Sequence, residues 1–104
     1  MTKRLVVILA VLTLVMALPA MAKSDGAALY KASCATCHGA NGAGDTAVGK
    51  SMKVRDLRSA EVQKQTDIEL TKIISGGKGK MPAYGKKMSE ADVAALIATI
   101  RSLK

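Results

Sequence analysis

Phenylalanine and tryptophan are absent from this 104-residue chain, and Tyr30 and Tyr84 are its only aromatic residues. A domain of this length has few other side chains bulky enough to fill its centre, so something large and apolar is missing from the list. With no ring to stack bases other than those two and no nucleic-acid-binding motif, the basic composition does not signal a nucleic-acid partner. Histidine is scarcer still, with His38 alone, so no second imidazole is available to any site. Cysteine is confined to Cys34 and Cys37, with no second Cys or His pair downstream to complete a four-ligand zinc site. No apolar run approaches the roughly 20 residues of a membrane-spanning helix.

The longest such run is Leu5 to Leu18, 14 residues interrupted only by Thr13 and preceded by Lys3 and Arg4. Pro19 ends it, and Ala20 and Ala22 place small residues at −3 and −1 of a cleavage site. This is the pattern of a secretory leader over residues 1–22, cut after Ala22, with an uncleaved anchor as the alternative. The leader raises the mean hydropathy of +0.18; the mature chain, Lys23 to Lys104, is polar in character. It keeps 14 Lys and Arg against 8 Asp and Glu, a net charge of +6. Such a field suits acidic docking surfaces on a partner or an anionic membrane surface, although a charge excess is as often only a solvated face.

Helix signals alternate with glycine-rich stretches in the mature chain, and no strand-like alternation is present. A first helix opens at Ser24 or Asp25 and runs toward Cys34. Gly39 to Gly49, with four glycines, Asn41 and Asp45, reads as a loop. A short helix is expected after Ser59 and a longer one at Thr66, where Glu69 completes a capping box, with Gly76 and Gly77 as its stop. The last helix starts at Ser89, with Asp92 as its box partner, and carries Val93, Leu96, Ile97, Ile100 and Leu103 on its apolar face. These signals add up to one all-α domain, 23–104.

Cys34-Ala35-Thr36-Cys37-His38 has the C-x-x-C-H spacing of covalent haem attachment. Two thiols one helical turn apart can each add to one of two vinyl groups on a porphyrin edge, and the next residue can present its imidazole to the iron. Three other readings compete. A thioredoxin-like redox pair needs a strand–helix context that this chain lacks, zinc needs a fourth ligand, and a plain Cys34–Cys37 disulfide is the simplest alternative. For the second axial ligand the mature chain offers Met52, Met81 and Met88. Met81 comes after the glycine- and lysine-rich run 76–80, which can carry its thioether around a haem, and Pro82 stiffens the backbone behind it. It is the preferred candidate. Met88, ahead of the last helix, is expected in the core. Thioether ligation would raise the reduction potential and close both axial positions, leaving a one-electron carrier rather than a catalyst.

On these residues the sequence resembles the class I c-type cytochromes, the small monohaem carriers of bacterial respiratory and photosynthetic chains. Gly26 and Tyr30, the motif Cys34 to His38, the segment Gly79 to Tyr84 and the final helix Ala95 to Leu103 carry the likeness. It implies three or four helices around one covalent haem c, with Cys34 and Cys37 as thioether attachments and His38 and Met81 as axial iron ligands. It also implies a first and last helix that cross near Gly26. The family's usual aromatic at that crossing is replaced by Thr99. No proline lies between Gly39 and Asp56 to offer its carbonyl to the ring N–H of His38, so that acceptor is open. Two ionised propionates would bring the net charge nearer +4, and Lys53 or Arg55 is a candidate to neutralise one of them, against the simpler reading of solvated charges.

The function expected is one-electron transfer in the periplasm, by a monomer, between redox partner proteins. Two alternatives stand beside it: a haem enzyme or gas sensor in which Met81 is labile, and a small haem subunit of a larger oxidoreductase.

Overall fold

The computed structural model describes residues 24–103. The expected leader and its cleavage after Ala22 lie outside the described residues.

Short polar side chains start the helices by accepting from backbone N–H groups that have no partner inside the helix. Asp25 caps α1 (Gly26–Ser33) by accepting from the Ala28 amide at 3.1 Å. Ser24, the other candidate, instead donates to Asp92 at 2.7 Å, tying the start of α1 to the cap of the last helix. A single turn, α2 (Ala35–His38), carries the cysteine–histidine motif. Thr46 caps α3 (Ala47–Met52), Ser59 caps α4 (Ala60–Gln63) and Thr66 caps α5 (Asp67–Gly76). Ser89 and Asp92 close both halves of a capping box on α6 (Glu90–Ser102).

Two features depart from the expectations drawn from the sequence. The glycine-rich loop ends earlier than expected, because Gly49 lies inside α3, where Thr46 Oγ1 accepts from its amide at 2.9 Å. The glycine is there for space, since a Cβ on it would meet the Cys37 carbonyl. At Thr66 the hydroxyl accepts from the Glu69 amide, but the reciprocal bond of the box is not made.

Apolar spacing decides the packing. Tyr30, Val62, Leu70, Ile74, Val93, Leu96, Ile97 and Ile100 form one buried cluster, and Leu96 has no exposed surface. α6 is the central element, packed against α1 on one side and α5 on the other. The α1–α6 crossing falls at Gly26, where an added Cβ would meet the Ala95 carbonyl and Thr99 Oγ1. Glycine lets the two backbones close up at this crossing. Thr99 turns its hydroxyl back to the Ala95 carbonyl at 3.1 Å. Among the described residues there is no strand, and none of the helices is long and apolar enough to cross a membrane.

Candidate functional site

The helices leave an open cavity of about 300 Å³, walled largely by apolar side chains of α1, α5 and α6. Cys34, Cys37, His38 and Met81 all line it. The four residues singled out from the sequence, separated by up to 47 positions, therefore face one space.

Cys34 and Cys37 are half-buried free thiols. Burial, and secondarily the neighbouring Cys37, push the Cys34 thiol up from its ordinary value. A thioredoxin-like attacking cysteine needs the opposite shift, toward thiolate. Nor do three Cys, His, Asp or Glu side chains anywhere among the described residues come together in a way that could hold a metal ion by themselves.

His38 is oriented by a main-chain contact. Its Nδ1 lies 3.2 Å from the Arg55 carbonyl oxygen, which supplies the acceptor that the missing proline left open. With Nδ1–H engaged there, the tautomer leaves the lone pair on Nε2. Burial lowers the pKa of the ring, and the Arg55 bond offsets part of that. Burial thus disfavours the charged form of the ring, and a metal ligand needs the neutral one. The turn that carries it is fixed from two sides: Tyr30 Oη donates to the Gly39 carbonyl at 2.7 Å, and Thr46 Oγ1 reaches the Thr36 and Cys37 carbonyls at 2.8 and 3.1 Å.

Met81 is half-buried and held in a bonded turn rather than on a slack run. Its amide donates to the Lys78 carbonyl at 3.0 Å and its carbonyl accepts from the Lys78 amide at 3.2 Å. Tyr84 anchors the C-terminal side of this turn, with its amide on the Ile74 carbonyl at 3.0 Å and its Oη on the Ser33 carbonyl at 3.1 Å. That last bond joins the Met81 segment to the residue before Cys34 across 51 positions. Of the other two methionines, Met52 lines the mouth of the cavity and is 42 % exposed. Met88 packs against the core and lines a separate cleft between α5 and α6.

The donor set fits a haem: two thiols one turn apart, an oriented imidazole and a thioether, around an apolar space with no aromatic ring but tyrosine in its wall. The match to known families decides the matter. Residues 21–99 match the family described as cytochrome c oxidase, cbb3-type, subunit III. This chain belongs to the class I c-type cytochromes. It is 33 % identical to cytochrome c6 of a Picosynechococcus species over 96 % of this chain and 92 % of the relative. It is also 33 % identical to the cbb3-type cytochrome c oxidase subunit FixP of Azorhizobium caulinodans, over 79 % of this chain but only 27 % of that subunit's length. Among solved structures, the KustC0563 c-type cytochrome superposes with a TM-score of 0.71 at 33 % identity, covering 77 % of this chain and 98 % of that one. The cytochrome accordingly carries covalent haem c with its iron, has the all-α fold expected of it and transfers electrons.

Its basic side chains at the cavity are not equivalent. Lys53, Arg55, Lys78 and Lys80 all border it. Arg55 is engaged with Glu61 at 3.3 Å, and Arg58, farther along, with Asp56 at 3.1 Å. Lys53 caps α3 in a left-handed conformation, φ 53°, and makes no ion pair among those found in the described residues.

Proposed function

We propose that this cytochrome is a closed-site, one-electron carrier in which Cys34 and Cys37 hold the porphyrin by thioether bonds and His38 Nε2 and Met81 Sδ are the axial ligands. When bound, the haem supplies a reversible ferric–ferrous couple. The residues do the rest. The observation that carries this reading is the convergence of an imidazole, its Nδ1 engaged by the Arg55 carbonyl, with Met81 on one largely apolar cavity. A soft thioether favours ferrous iron and raises the potential, while filling the position at which a gas or peroxide would bind. That separates the carrier from an enzyme or gas sensor.

Charge governs docking. The lysines around the cavity mouth, on a mature chain of net charge +6, suit a redox partner with an acidic surface, and the same charge would favour loose association with anionic lipid. Residues 1–22 are read as a leader cleaved after Ala22, giving a monomeric periplasmic protein. A mature N-terminus at Lys23 is the expected result of N-terminal sequencing.

The deciding experiment is the absorption spectrum. A low-spin ferric form with an iron–sulfur charge-transfer band, and a reduced form unchanged by carbon monoxide, is expected. Ready carbon monoxide binding would overturn the closed-site reading. A second reading, a haem subunit resident in a larger oxidoreductase, is favoured by the oxidase-subunit family match and would show as stable co-purification with an oxidase.

A further inference from the structure

Gln63, the last residue of α4, makes two long-range bonds with its side-chain amide. Nε2 donates to the Leu57 carbonyl at 2.8 Å and to the Ile100 carbonyl at 3.0 Å. In return, Arg101 of α6 donates from Nη1 to the Gln63 carbonyl at 2.8 Å, and from Nη2 to the Gln65 carbonyl at 2.6 Å and to Asp67 Oδ1 at 2.8 Å. The two side chains interlock the last turn of α6 with the stretch 57–67, whose Leu57, Val62 and Gln65 form part of the cavity wall.

The stretch just before it contains the acceptor of His38. Residues 54–57 belong to no helix, so their orientation depends on bonds made at individual peptide groups. On the amide side these are Val54 to the Gly49 carbonyl at 3.0 Å and Leu57 to the Gly42 carbonyl at 2.8 Å. On the carbonyl side, Asp56 accepts from the Ser59 amide at 3.1 Å, and Leu57 is held by Gln63, two residues from the Arg55 carbonyl that meets His38 Nδ1. Without that donor the Leu57 carbonyl loses its side-chain partner, and the stretch keeps only the Leu57 amide on Gly42, the Ser59 amide on the Asp56 carbonyl and the local Asp56–Arg58 turn.

We propose that Gln63, held in place by Arg101, is a positioning residue for His38: it keeps the Arg55 carbonyl against Nδ1 and so sets the basicity of the imidazole. The inference rests on the reading of His38 as an iron ligand. A hydrogen bond to the distant ring nitrogen makes a ligating imidazole a better donor and stabilises the ferric state; loosening it raises the potential.

Gln63→Met keeps length and loses both donors. In the haem-loaded protein, solvent exchange of the His38 Nδ1 proton, measured by NMR, should become about tenfold faster, the effect of weakening one hydrogen bond. The reduction potential should move upward. Arg101→Lys, which cannot span two carbonyls and a carboxylate, should move both readouts the same way by less, and it decides the matter if Gln63→Met yields no holoprotein. Thr66→Ala, which removes a helix cap without touching Leu57, should lower thermal stability and leave both readouts unchanged. If the Gln63 and Arg101 variants are destabilised while exchange and potential stay at wild-type values, the interlock serves stability alone and the inference is wrong. Absence of a hyperfine-shifted His38 ring proton in the wild-type protein would instead remove the ligand reading, and the inference with it.

Discussion

The ring of His38 is oriented by the main chain of Arg55, through a 3.2 Å contact between Nδ1 and the carbonyl oxygen. Because the acceptor is a peptide oxygen, the side chain of residue 55 is free to do something else, and it pairs with Glu61. Arg55→Gln should therefore keep the His38 hydrogen bond, and the ring-proton resonance should stay near its wild-type position. Lys53, which makes no ion pair among the described residues, is the better candidate for a propionate. Lys53→Gln should change the pH dependence of the reduction potential more than Arg55→Gln does; equal effects, or none, would remove that role.

Met81→Ala should abolish the iron–sulfur charge-transfer band and lower the potential. The same substitution at Met52, 42 % exposed at the cavity mouth, or at Met88, which faces a different cleft, should leave the band in place. Loss of the band on replacing Met52 alone would transfer the ligand role.

Gly26→Ala should destabilise the fold by about 1–3 kcal/mol, the usual range for overpacking a closed contact. The added Cβ meets the Ala95 carbonyl, which is backbone and has little room to yield. Combining it with Thr99→Ala should give only partial recovery in a denaturation experiment, because only one of the two obstructions is a side chain.

Tyr30 is 4 % exposed and donates to the Gly39 carbonyl, and burial, then the nearby Cys34, push its phenol up to about 12 from 10.0. The folded state thus holds a proton that the unfolded state releases between those values. The corresponding stability is complete below pH 10 and is lost as pH rises toward 12. Tyr30→Phe should cost about 1 kcal/mol at neutral pH, the net worth of one hydrogen bond, and make the alkaline decline shallower. Denaturant midpoints measured from pH 8 to 12 would check both.

Electron transfer to an acidic partner should slow steeply as ionic strength rises from about 0.01 M to 0.15 M, over which the screening length falls from about 30 to 8 Å. A rate independent of salt would mean that the lysines at the cavity play no part in docking.

The chemistry of this protein is legible in its local sequence. A spacing of two thiols and an imidazole is local covalent geometry, readable wherever it stands, and so are the caps at Ser59, Thr66 and Ser89, whose hydroxyls act on amides three residues away. The scarcity of aromatic rings also pointed to a centre that the chain's own side chains do not fill, and the structure has an open, largely apolar cavity there. How that chemistry is held is a matter of tertiary contacts. The acceptor of His38 is a carbonyl, a group every residue carries, so no letter of the sequence marks Arg55. The bonds of Tyr84 to Ser33 and of Gln63 to Ile100 span 51 and 37 positions, beyond any local pattern. The glycine-rich segment hid a helix at Ala47–Met52 because composition records the cost of glycine in a helix, whereas the close approach of Gly49 to Cys37 that makes glycine necessary exists only once the chain has folded.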